Sequence, residues 1–299
     1  MLLNSQTLCF EWLRSKKGKI KPSTYDKYDM ILNKYLLDFF NSYHLDQLDI
    51  SIIKDYFISL LNQGLSSSVV QSIKNVLKAI YITYENQYGL NHIDFSLVKI
   101  EQEKKENASL LDEQFNQLHQ YCLNTIDAIH LGIVLAMDTG MMIGEICALK
   151  VSDIDLNKKM ISITKKTQRV KNEESGSKTV YEVADVEWPI KRNIAIPQSL
   201  IQYLEIYLKN KNRNDYLLSN NQHASDFKKL QRGLDKITQQ LGFKTTYKDL
   251  RNMYKEHCMK KCLDVNVVME LLGLQSMKLS LPQNYNSSDE EKIKQINKL

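Results

Sequence analysis

The run Lys248-Asp249-Leu250-Arg251 stands at the head of an expected helix and offers a guanidinium there. A guanidinium is planar and carries paired N–H donors, so it can hold two oxygens of one phosphate at once. That setting favours phosphate binding by Arg251 over the role of an ordinary surface arginine. Further cations come in three sets: Lys16, Lys17, Lys19 and Lys21 near the start, Lys74 and Lys78 on an expected helix, and Lys165, Lys166, Arg169 and Lys171 around an expected turn. Any one lysine is explained well enough as solvated surface. Taken together, they could neutralise the phosphates of a nucleic-acid backbone, which needs only well-placed cations. Cys258 and Cys262 lie four apart on an expected helix and could form half a metal site. No Cys/His pair at ligand spacing accompanies them, so helix packing is the simpler account.

Those residues need a scaffold, and the composition says what kind. The 299 residues suit two domains of ordinary size. Hydrophobic residues make up 43%, enough to fill real cores, and 4 prolines in the whole chain favour long helices. The net charge of +5 suits a nucleic-acid partner without requiring one. The 5 cysteines are odd in number and scattered, which argues against a disulfide framework and for a reducing cytoplasm. No stretch approaches the roughly 18 consecutive apolar residues of a membrane span, and the start lacks a signal peptide. A soluble, intracellular protein is expected.

The first hundred residues read as a helical bundle. Ser23 is placed to cap a helix from Thr24, with Tyr25, Tyr28, Ile31, Leu32, Tyr35 and Leu36 as its apolar stripe. Ile52, Ile53, Tyr56, Phe57, Leu60 and Leu61 form a second stripe, stopped at Gly64. Ser66-Ser67-Ser68 opens a third helix with Val69, Ile73, Val76, Leu77, Ile80 and Tyr84 on one face. Lys99 to Asn107 has no apolar period and reads as a linker. Ser109 and Asp112 then have capping-box spacing, and an apolar helix follows from Ile129 to Met137. The period changes to two at Met160–Thr164, Val180–Val183 and Asn193–Ile196, giving three strands, after which helices resume at Gln198.

Three stretches, Thr139–Glu145, Thr246–Arg251 and Val267–Leu274, stand in order around the expected strands, behind a helical front domain. In order and motifs they resemble the tyrosine recombinases, the phage and transposon integrases. Thr139-Gly140-Met141-Met142-Ile143-Gly144-Glu145 resembles that family's first catalytic box, T-G-x-R-x-x-E. Thr246-Tyr247-Lys248-Asp249-Leu250-Arg251 resembles the second, T-P-H-D-L-R, and Val267–Leu274 the third, V-Q-x-L-L-G-H. Asp153-Ile154-Asp155-Leu156 resembles the approach to the family's β-hairpin, and Arg192-Asn193-Ile194-Ala195-Ile196 its strand of the form R-x-I-x-I. Lys21–Tyr25 and Gly64–Ser66 are typical of its core-binding domain. The resemblance covers nearly the whole chain. It implies a mainly α fold: a SAM-like helical core-binding domain over 1–98, a linker over 99–108, and an α-rich catalytic-type domain over 109–299 with an inserted three-stranded antiparallel sheet. It also implies a C-shaped clamp on double-stranded DNA, homo- or hetero-oligomers with other recombinase subunits on that DNA, and neither cofactor nor metal. The last stretch, Asp289 to Leu299, would serve for docking on a neighbour.

In the family reaction a tyrosine oxygen attacks the scissile phosphate and a phosphotyrosine link conserves the bond. Two arginines stabilise the charge that builds on the non-bridging oxygens, and a hairpin lysine protonates the leaving oxygen. The resemblance assigns Tyr285 as nucleophile, Arg251 as the second-box arginine and Lys248 to the position of the second-box histidine or lysine. Two positions depart from the pattern. Met142 replaces the first arginine, and a thioether offers phosphate neither charge nor donor. Leu274 replaces the third-box histidine. The hairpin lysine is expected near Val186, beside Asp185 and Glu187, with Lys178 and Lys191 the nearest substitutes. Arg192 is taken as a further DNA contact, and Glu145 as a residue that caps or bridges within the fold. The expected protein binds DNA in recombination and integration of a mobile element, with cleavage impaired and an accessory or regulatory role. The alternative is an active integrase in which Lys248 or a hairpin lysine compensates.

Overall fold

A computed structural model describes residues 4–101, 110–171, 179–187, 189–261, 263–274 and 287–298. The described chain forms two compact units, each with its own apolar core.

The first unit is a bundle of α1 (Ser5–Lys16), α2 (Pro22–Ile31), α3 (Leu37–Ser42), α4 (Ile50–Asn62) and α5 (Ser67–Tyr88). Helix α2 begins at Pro22 with Lys21 as its N-cap, and no side chain caps it. The expected Ser23 cap is therefore two residues too late. Proline serves as well at this point because its missing N–H and fixed φ suit the first helical position. A π-helical turn, Leu32–Leu36, carries α2 into α3. Helix α4 buries Ile53, Phe57 and Leu60, as its stripe predicts. On α5 the register is shifted at one point: Val70 is fully buried, while Val69 is 37% exposed.

The second unit is built around α7 (Ala128–Thr139), in which Leu131 to Met137 are all buried. Such a helix has no polar face and must be covered all round. α6 (Asp112–Leu123), α10 (Phe227–Gln240) and α11 (Tyr247–Lys260) pack on it. Short α8 (Ile143–Ala148) leads to the strands β1 (Ile154–Asp155), β2 (Met160–Ile163), β3 (Lys165–Lys171), β4 (Thr179–Asp185) and β5 (Arg192–Ala195), of which the ends of β3 and β4 at 170–171 and 179–180 are grouped with the first unit. α9 (Gln198–Leu208), α12 (Val265–Leu272) and α13 (Asp289–Ile296) complete the unit.

A three-stranded antiparallel sheet is present, in the order β1-β2-β5, with Ile161 opposite both Ile154 and Ile194. Its membership corrects the expected one. The stretch containing Val180–Val183 is not in it, and pairs with β3 as a separate two-stranded ribbon. The third strand of the sheet is the two-residue β1. The capping expectation for Ser109 falls outside the described residues. In its place Leu111 stands at the N-cap of α6, and its N–H donates to Oε1 of Gln114 at 3.1 Å.

Candidate active site

The second-box residues open α11 through a reciprocal cap. The Asp249 N–H donates to Thr246 Oγ1, and Asp249 Oδ2 accepts from the Thr246 N–H at 3.0 Å and from its hydroxyl at 2.7 Å. Tyr247 and Leu250 are buried, which turns Lys248 outward to solvent and leaves Arg251 half-buried one turn in. Arg251 donates from Nη1 to the Gly140 carbonyl at 2.6 Å and from Nη2 to the Leu272 carbonyl at 2.5 Å. One side chain thus ties the start of the first box to the end of the third. Burial pushes its pKa down to about 10, against an upward pull from Glu145. It is still a cation at neutral pH, and three of its five N–H donors remain unassigned to these two carbonyls.

The backbone at Gly140 is set by space. Its φ is +63°, and a Cβ there would stand 2.4 Å from Tyr254 Cδ1 and 2.7 Å from Leu272 Cδ2. Only glycine turns the chain here and lets its carbonyl face Arg251. Gly273 ends α12 in the same left-handed conformation, where a Cβ would lie 3.0 Å from Arg192 Nη1.

Arg192 lies inside the unit. Its side chain is 1% exposed and pairs with Glu145, whose side chain is 0% exposed. Nη1 donates to Glu145 Oε1 at 2.7 Å and Nη2 to Oε2 at 3.0 Å, while Nε donates to the Leu271 carbonyl at 2.7 Å and Nη1 also to the Ile190 carbonyl at 2.8 Å. The expectation that Arg192 contacts DNA is therefore corrected: a buried guanidinium with four donors engaged has nothing to present to a phosphate. Glu145 does bridge within the fold, and its Oε2 also accepts the Met142 N–H at 2.8 Å, capping α8.

Met142 and Leu274 follow Gly140 and Leu272 by two residues each and are both half-buried; Leu274 packs on the core. Arg251 is thus bonded to both box ends, and the two neighbouring positions where the family pattern carries cationic or imidazole groups hold a thioether and an isobutyl group. Val186 is 6% exposed, its N–H donating to the Thr164 carbonyl at 2.9 Å, so the expected hairpin-lysine position is a core residue. Lys191 is exposed. Tyr285 and Lys178 fall outside the described residues.

The expected phosphate contacts divide. Lys17, Lys19, Lys21, Lys78 and Arg169 are exposed; Lys16 is half-buried, with its ammonium 5.3 Å from the Trp12 ring centre; Lys165 and Lys166 are half-buried. Lys74 donates to the Val98 carbonyl and has its pKa lowered, first by burial and then by Lys78, so it acts inside its own unit. Lys171 lies at the end of β3, and its side chain is outside the description. Cys258 is buried, with its thiol pushed up to about 11 by burial, and Cys262 is outside the described residues. Among the described residues no three His, Cys, Asp or Glu side chains come together to hold a metal ion.

The sequence reading missed two features. Helix α10 buries Leu230, Leu234 and Ile237 and turns Lys228, Lys229, Arg232 and Lys236 to solvent on its other side. The three- and four-residue spacing of its apolar residues was enough to find that face. The second feature is a buried ion pair, Lys292 Nζ to Glu270 Oε1 at 2.6 Å, with side chains 2% and 8% exposed. Glu270 Oε2 also accepts from the Ser287 N–H at 2.8 Å and its hydroxyl at 2.6 Å. Helix α13 is thereby held on its own unit, against β5. Its run of charged residues gave no sign of a buried lysine.

With that geometry in view, the comparisons agree. The model of the phage integrase family matches residues 108–292, and that of the phage integrase N-terminal SAM-like domain matches residues 6–61. The chain belongs to the phage integrase family, the tyrosine recombinases. It is similar to the tyrosine recombinase XerA of Pyrococcus furiosus, 25% identical over 284 residues, covering 93% of this chain and 88% of that protein. It is also similar to a XerC-like tyrosine recombinase of Caldanaerobacter subterraneus, 28% identical over 240 residues, or 75% of this chain; the match spans only 58% of that relative's length. Among solved structures, the Tn1549 transposon integrase in complex with transposon right end DNA matches its fold with a TM-score of 0.73 at 16% identity, over 92% of this chain and 93% of that one.

Proposed function

We propose that this chain binds duplex DNA in site-specific recombination of a mobile element, and that its own strand cleavage is strongly impaired, leaving an accessory or regulatory part. The observation that carries this reading is the corner around Arg251. The fold still gathers all three boxes there, yet Met142 and Leu274 bring no donor to a phosphate. Loss of one preorganised donor typically costs about 10²–10³ in rate. Loss of two members of a set costs more, though not additively.

Backbone binding does not need the missing groups. Arg251, the exposed face of α10, and the exposed members of the predicted sets (Lys17, Lys19, Lys21, Lys78 and Arg169) supply cations for it. Subunits of this kind would act in oligomers with catalytically complete relatives. A second reading rests on Lys248, which is exposed three residues before Arg251 and could take part of the missing charge. In that case the chain is a slow but active integrase with Tyr285 as nucleophile.

Binding to duplex DNA measured across a salt series tests the first part. The affinity should fall steeply and linearly on a log–log plot, as counterion release requires. Affinity that does not change with salt, or no binding at low salt, removes the proposal. The second reading is decided by a covalent protein–DNA adduct that disappears in Tyr285→Phe.

A further inference from the structure

The first and third boxes are spanned by two arginines side by side. Arg251 donates to the carbonyls of Gly140 and Leu272. Arg192 reaches the same two boxes from inside the unit. Its Nε donates to the Leu271 carbonyl at 2.7 Å, one residue before the carbonyl that holds Arg251. Its Nη1 and Nη2 donate to Glu145 at 2.7 and 3.0 Å, and Glu145 Oε2 accepts the Met142 N–H at 2.8 Å, two residues after Gly140. These bonds close a ring that runs through Arg251, Gly140, Met142, Glu145, Arg192, Leu271 and Leu272.

The two carbonyls that hold Arg251 both stand at helix ends. Gly140 is the C-cap of α7, and Leu272 is the last residue of α12. Such carbonyls have no partner within their own helix, so their direction depends on what fixes the residues beside them. Here the fixing is done by Arg192 and Glu145, whose side chains are 1% and 0% exposed. Water does not compete for their bonds, and a planar fork on a carboxylate sets direction as well as distance. We infer that Arg192 is a positioning residue for Arg251. Without meeting DNA itself, it locks Leu271 and, through Glu145, Met142, and so aims the Arg251 guanidinium at a phosphate. The inference rests on the DNA-binding reading above and adds what fixes the geometry of that contact. Lysine is no substitute, because one compact ammonium can pair with Glu145 but cannot also serve the Leu271 and Ile190 carbonyls in the plane of a fork.

A double-mutant cycle tests this. Arg192→Lys keeps a cation beside Glu145, and Arg192→Met/Glu145→Leu replaces the pair by apolar groups of similar volume, a change that buried pairs often tolerate. Circular dichroism and melting establish which variants are folded. In the native background each folded variant should weaken duplex DNA binding about threefold or more and lower its salt slope toward that of Arg251→Ala. In the Arg251→Ala background neither should weaken binding further. A second readout needs no DNA: labelling of Arg251 by phenylglyoxal, mapped by peptide mass, should be faster in both variants than in the native chain. Unchanged binding in the folded variants, equal weakening in both backgrounds, or an unchanged labelling rate would each overturn the inference. A native chain that binds no duplex removes the DNA-binding reading, while the labelling still decides whether Arg192 governs Arg251.

Discussion

Two arginines reach for adjacent carbonyls of the third box and are put to opposite uses. Arg192 donates to Leu271 and Arg251 to Leu272. Arg192 is sealed in with a carboxylate on both of its terminal nitrogens, and burial of that pair makes it part of the frame. Among the described residues Arg251 hydrogen-bonds only to neutral carbonyls, and it stays half-buried, so no carboxylate there cancels its charge in place. The comparison teaches that motif position alone does not assign an arginine to phosphate. A facing carboxylate is enough to withdraw Arg192 from such a role.

The contrast can be broken at several points. Arg192→Ala strands Glu145 as a lone buried charge, and should destabilise the protein by about 3–5 kcal/mol in denaturant titrations. A loss below about 1 kcal/mol would mean that the pair is not structural. Lys292→Ala strands Glu270 in the same manner but leaves it the two Ser287 hydrogen bonds, so a loss of about 2–3 kcal/mol is expected. Arg251→Ala should behave differently. Its cost in stability should stay under about 2 kcal/mol, while the salt dependence of DNA binding drops by about one counterion. Reversing α10 at Arg232 and Lys236 to Glu should lower DNA affinity at every salt concentration with no change in melting temperature; unchanged affinity would take α10 out of the contact surface.

The smallest effect concerns His119. Burial alone would lower its pKa, but the hydrogen bond and charge of Asp138 together carry it above the ordinary 6.5. A group with a raised folded pKa stabilises fully below its unfolded value and loses that contribution as pH rises through the folded one. Stability should therefore decline as pH climbs past about 6.5, and His119→Gln should flatten that slope. An unaltered slope in the variant would assign the decline to other groups.

How much of this was legible from residues alone follows from distance along the chain. Stripes such as Ile53, Phe57 and Leu60 are local and read directly. The three boxes were found by order and spacing, and α11 begins where a helix head was expected. The ribbon was misassigned because Val180–Val183 has the composition of a sheet strand, while Val180 is 39% exposed and buries little. Two-residue β1 is too short for any period to show. Arg192 and Glu145 are 47 residues apart and Lys292 and Glu270 are 22 apart, so no window could pair them. The basic face of α10 was readable and passed over.

The central claim is that the Arg251 corner holds too few donors to cut DNA. It is tested most directly by incubating nicked suicide duplexes with the native chain, with Met142→Arg/Leu274→His, and with that double variant carrying Tyr285→Phe. Covalent adducts are scored on denaturing gels. The account predicts no adduct with the native chain, an adduct with the double variant, and its disappearance when Tyr285 is replaced. A Tyr285-dependent adduct formed by the native chain at a rate similar to that of the double variant would contradict it.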